Sequence, residues 1–81
     1  MDQIVRILES AIGGATKTNL MYKAFVSSQK LSDYINLLML SGFLKYDKLD
    51  FVYTTTDNGM NFLNIVKQIQ SLFWKFLEIK C

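Results

Sequence analysis

The chain has 81 residues, a net charge of +2, 51% hydrophobic residues, no histidine, and one cysteine at the last position. That length leaves room for one domain, and the missing imidazoles and lone thiol exclude a disulfide framework, a Cys/His zinc site within one chain and a Ser-His or Cys-His nucleophile pair. Gly13-Gly14, Gly42 and Gly59 are too dispersed to cradle a phosphate, so the chain is expected to be no enzyme and to hold no metal or cofactor. No apolar run approaches the roughly 18 residues that cross a bilayer. No basic region followed by an apolar stretch opens the chain, so no signal peptide is expected.

Asp2 can N-cap a first helix running to about Ile12, with Ile4, Val5, Ile7, Leu8, Ala11 and Ile12 forming an apolar stripe. Gly13-Gly14 stops it. Thr16 or Thr18 caps a short second helix that ends near Ala24, and Phe25-Val26-Ser27 is a turn. Ser27 or Ser28 caps a third helix reaching about Ser41, with Gly42 as its C-cap. Its spacing points Leu31, Tyr34, Ile35 and Leu38 inward and Gln29, Lys30, Ser32, Asp33 and Asn36 outward. Phe43 to Asp47 and Phe51 to Thr55 read as two strands with Lys48-Leu49-Asp50 at the tip between them. Tyr46 and Tyr53 are expected to pack across this hairpin, and Met21, Met39 and Met60 to lie in the core.

Thr56 caps a last helix, with Asp57 on the favourable end of its dipole. Nothing breaks this helix before Lys80, a length of about 36 Å at 1.5 Å per residue. That exceeds the width expected of the head, so its end should project. Phe62, Val66, Ile69, Phe73 and Phe76 form one heptad stripe; Ile65, Ile69, Leu72, Phe76 and Ile79 form another. A helix that is apolar nearly all round is buried on most sides. Where it projects, only a second chain can bury it. The expected dimer interface is Ile65, Ile69, Leu72, Phe73, Trp74, Phe76, Leu77 and Ile79. Cys81 is an incidental thiol or an interchain disulfide.

The fold class is therefore mainly α with a small β-hairpin: a winged helix-turn-helix head over residues 1–56 and a dimerisation helix over residues 57–81, in a single structural domain. In such a head the second helix of the pair is shaped for a DNA major groove. Gln29 and Asn36 can form paired hydrogen bonds to adenine, and Asp33 can accept from cytosine N4. Lys30 and Ser32 complete that face, and Lys17, Lys23, Lys45 and Lys48 can neutralise phosphates. The simpler alternative is an ordinary polar helix face and solvated lysines. Residues 1–56 carry six basic and five acidic side chains, a weak footprint for nucleic acid.

Lys17, Thr18, Leu20, Met21 and Tyr22, then Ala24, Ser27, Tyr34-Ile35, and Thr55, Gly59 and Leu63 at intervals of four carry a resemblance. Over roughly residues 3–80 the chain resembles the small archaeal winged-helix DNA-binding proteins related to the ten-kilodalton chromatin-associated proteins of Sulfolobus. The resemblance implies a two-headed homodimer joined by an antiparallel coiled coil of the last helices, cytoplasmic and nucleoid-associated, with double-stranded DNA as partner. Members often carry basic residues where Asn19, Asp33 and Asn36 stand here, and an aromatic where Ser28 stands. Those departures fall on the surface that would meet DNA. The expected function is thus transcriptional regulation or DNA architecture, with no membrane or metal partner. The alternative is a protein-interaction module on the same scaffold.

Overall fold

Hydroxyl side chains fix where three of the helices begin. Thr16 Oγ1 accepts from the Asn19 N–H at 3.2 Å, Ser27 Oγ from Lys30 at 3.2 Å, and Thr56 Oγ1 from Gly59 at 3.1 Å. Each satisfies a first-turn donor that the helix itself leaves unpaired. Of the two candidate caps at each earlier start, Thr16 and Ser27 take the position. The computed structural model describes the backbone of residues 2–80 and the side chains of residues 3–73. The elements in order are α1 (Asp2–Ser10), α2 (Lys17–Ala24), α3 (Ser28–Leu40), β1 (Leu44–Asp47), β2 (Val52–Thr55) and α4 (Asp57–Lys80).

The helix ends have equally local causes. α3 closes in a Schellman motif: the Phe43 N–H reaches Leu38 O at 2.9 Å, and the Gly42 N–H reaches Met39 O at 3.1 Å. Ser41 is the C-cap, and Gly42 follows it at φ +80. α2 ends on Phe25, a left-handed residue at φ 56. α1 stops at Ser10, two residues short of the expected end. A carbonyl of its last turn is taken from outside the helix, Thr55 Oγ1 donating to Leu8 O at 2.6 Å, and just past its end the Thr55 N–H donates to Ala11 O at 3.2 Å. Ile12 therefore leaves the helical register and lies exposed, not in the apolar stripe.

β1 and β2 pair antiparallel, with Leu44 opposite Thr55 and Tyr46 opposite Tyr53. The tyrosine rings pack at 4.8 Å between centroids, as expected. A third, one-residue strand was not read from the sequence. Ala15 and Tyr53 exchange both backbone hydrogen bonds, at 2.9 and 2.8 Å. β2 thus sits between Ala15 and β1. Gly13-Gly14 stops a helix and also delivers the chain to the sheet: Gly14, at φ +103, lies against Val52.

The core draws on α1 (Val5, Ile7, Leu8), α2 (Leu20, Ala24), α3 (Leu31, Ile35, Leu38), β1 (Leu44) and α4 (Leu63, Val66), with Ala11 and Ala15 between elements. Burying each large side chain contributes about 1.5–3 kcal/mol. Tyr34 is half-buried, its hydroxyl donating to Gln3 Oε1 at 3.1 Å. Met21 packs against the core, but Met39 and Met60 are exposed, because Leu38 and Leu63 hold the inward directions of their helices.

Among the described residues, α4 packs on the head through its first three turns. Gly59 presses against the start of β1, so close that a Cβ there would strike the Phe43 carbonyl oxygen. Phe62 stacks on Phe43 at 4.8 Å, and Val66 is the last buried residue described. Ile65 beside it, and Ile69, Leu72 and Phe73 beyond it, are all more than half exposed. The expected interface residues Trp74, Phe76, Leu77 and Ile79, the Asp2 cap, and Cys81 lie outside the described side chains.

Candidate nucleic-acid interface

α3 divides cleanly into two faces. Leu31, Ile35 and Leu38 anchor it in the core, while Gln29, Lys30, Asp33 and Asn36 stand exposed on the opposite side. The structure thus brings four of the expected reading residues to one surface. Ser32 differs from expectation. It is only half exposed, and its hydroxyl donates back to Ser28 O at 3.1 Å, which directs that proton away from any ligand. Ser28 itself is exposed in the first turn, at the end of the helix that favours negative charge.

α2 crosses beside α3 and exposes Lys17, Asn19 and Lys23. The wing lysines are exposed but separated along the hairpin. Lys45 pairs with Thr54 near the base, where it borders a shallow cleft of about 480 Å³ shared with Gly42 and the Thr55–Asn58 corner. Lys48 stands in the tip. Its neighbour Asp47 turns inward, Oδ1 accepting from the Leu49 N–H at 2.9 Å and the Asp50 N–H at 3.4 Å. That bonding folds one of the two wing carboxylates into the loop. Arg6 lies over the Phe25 ring at 5.7 Å from its centroid.

Three apolar features of this surface went unread. Leu37 and Leu40 continue the outward stripe of Asp33 and Asn36 at helical spacing, and Leu40 is 89% exposed. Leu49 and Phe51 crown the wing; Phe51 lies outside β2, at φ 56, not in the strand as expected. Phe25 stands at the turn between α2 and α3. The helical wheel carried the signal for Leu37 and Leu40. Only the backbone geometry reveals the two phenylalanines.

Among the described residues no group of three or more metal-ligating side chains forms, and no helix is long and apolar enough to cross a membrane.

Two helices joined by the Phe25–Ser27 turn, the second with a free polar face, followed by a β-hairpin and a closing helix, define a winged helix-turn-helix. The sequence agrees: the chain belongs to a winged helix-turn-helix family, whose model matches residues 1–73. No curated protein matches the sequence.

Proposed function

We propose that the chain is a homodimeric DNA-binding protein, a transcriptional regulator or a chromatin-type architectural protein of the nucleoid. α3 reads the major groove, Lys17 and Lys23 on α2 and the wing lysines meet phosphates, and α4 joins two heads. The observation that carries the reading is the α3 face. Gln29, Lys30, Asp33 and Asn36 are exposed together on a helix anchored from behind, in the element that a winged helix-turn-helix presents to a groove. The exposed apolar stretch of α4 from Ile65 to Phe73 supports the dimer. Catalysis has no part in this reading.

Titration of a labelled random duplex at low and moderate salt tests it. Binding is expected to weaken with salt on a logarithmic slope of about −0.9 per phosphate contacted. Lys17→Ala with Lys23→Ala should flatten that slope. Absence of binding at low salt overturns the proposal.

A second reading has its own observation. Leu37 and Leu40 are exposed on the last turns of the same helix, and the head is nearly neutral. Both suit a protein-interaction module without DNA. That reading takes the lead if no duplex binds and Leu40→Ser abolishes self-association or partner binding.

A further inference from the structure

Asn58-Gly59, in the first turn of α4, is the chain's only asparagine–glycine pair; Asn19, Asn36, Asn61 and Asn64 precede Leu20, Leu37, Phe62 and Ile65. Such a pair can modify itself. Glycine has no Cβ to shield its amide nitrogen or to restrict the backbone turn that brings it onto the asparagine side chain. The fold demands glycine here, since a Cβ would strike the Phe43 carbonyl oxygen. Asn58 is exposed to water, whereas Gly59 is buried. The Gly59 N–H is donated to Thr56 Oγ1 at 3.1 Å. Asn58 is also held in the helix, and its ψ of about −42° must be abandoned before a five-membered ring can close. The pair is therefore reactive by composition and restrained by one cap.

We propose that Asn58-Gly59 is a self-modification site held shut by the Thr56 cap, and that it deamidates when the start of α4 frays, loosening α4 from the head. The Gly59 nitrogen attacks Asn58 Cγ and gives up its proton. The Cγ–Nδ2 bond breaks, and ammonia leaves with that proton. The resulting succinimide takes up one water. Cleavage of its bond from Cγ to nitrogen gives aspartate; cleavage of its bond from the main-chain carbonyl carbon to nitrogen gives isoaspartate. Water is the only co-reactant. Either product adds a carboxylate to the helix end that favours negative charge, in the cleft that Asp57 shares with Lys45. Isoaspartate also lengthens the backbone by one methylene just before Gly59. That position has no slack, because Gly59 bonds to Thr56 on one side and presses on Phe43 on the other.

The test incubates the full chain in mildly alkaline buffer and follows each asparagine by peptide mass mapping, with chromatography to separate the two products. In urea above the unfolding midpoint Asn58 is expected to react ahead of the other asparagines. In the folded parent it should react far more slowly; equal rates in the two states overturn the proposal. Thr56→Val removes the cap and should speed the folded reaction roughly fivefold, the rise in frayed helix starts expected when a cap is lost. Thr56→Ser keeps the hydroxyl and should match the parent. A folded Thr56→Val chain no faster than the parent, or a Thr56→Ser chain as fast as Thr56→Val, overturns the role of the cap. If Thr56→Val does not fold, the parent below its urea midpoint replaces it: deamidation must run ahead of the loss of helical signal, and a rate that only tracks global unfolding overturns the proposal. The purified isoaspartyl chain should melt below the parent, while Asn58→Asp should not. An isoaspartyl chain that melts with the parent overturns the loosening of α4.

Discussion

Gly59→Ala is the most exacting test of how α4 is set on the head. In an ordinary helix this substitution stabilises by about 1 kcal/mol, because alanine loses less backbone freedom on folding. Gly59 is buried, however, where α4 begins and β1 begins beside it. An added Cβ would strike the Phe43 carbonyl oxygen, lie 2.6 Å from Thr55 Cγ2 and come within 3.2 Å of the Phe43 carbonyl carbon. The Phe43 oxygen cannot simply recede, since it accepts the Thr56 N–H at 3.0 Å. Overpacking of this kind costs about 1–3 kcal/mol, and a lengthened backbone hydrogen bond about 1 kcal/mol more. The cost exceeds the helix gain, and a net loss of about 2 kcal/mol is expected. For a domain of this size that corresponds to a fall in melting temperature of about 8–16 °C. Asn61→Ala, at an exposed position on the same helix, reports the propensity gain alone and should raise stability by a few tenths of a kcal/mol, about 0.7 at most. Thermal unfolding by circular dichroism measures both. A Gly59→Ala chain that melts at or above the parent refutes the close approach of α4 to β1.

Ile69→Asp with Phe73→Asp should convert a dimer to monomers in light scattering, since both residues lie on the exposed stretch of α4; a variant that stays dimeric removes α4 as the interface. Thr55→Val keeps the shape but removes the hydroxyl that Leu8 O accepts, and should cost about 1–3 kcal/mol in urea unfolding; an unchanged midpoint argues against that bond. Asp33→Asn should tighten binding to random duplex by removing a carboxylate from beside phosphates. If it also relaxes preference at one base pair of a selected site, by about 1–3 kcal/mol, Asp33 reads a cytosine. No change in either quantity places α3 outside the groove.

Strong local signals reached the structure almost intact. The cap at Thr56 and the inward residues Leu31, Ile35 and Leu38 appear where the pattern put them; at the two earlier starts the pattern offered two hydroxyls each, of which Thr16 and Ser27 cap, and Gly42 stands one residue past the C-cap, which is Ser41. What the pattern missed involves partners far apart in the chain. Thr55 ends α1 from 47 residues away, and Ala15 joins the sheet through Tyr53, so neither has a periodic signature. The candidate interface divides in the same way. The exposed positions of α3 follow from helical phase. The back-bonding of Ser32 depends on its rotamer, and the left-handed Phe25 and Phe51 contradict residue preference, so no propensity argument finds them.

Thr56 has a consequence for the spacing of any two heads joined through α4. Its hydroxyl donates to Gly42 O at 2.6 Å while accepting from Gly59, and its N–H holds Phe43 O. The end of α3, the root of the wing and the start of α4 are thus fastened at one residue, leaving little play between head and stalk. A pair of heads joined through α4 would behave like the jaws of a fixed caliper rather than beads on a cord. The gap between the jaws would be set by where the two stalks cross, and a shift of that crossing by one helical turn would move both heads together. Natural sites for such a protein would then show a sharply preferred spacing in base pairs, whatever their sequence.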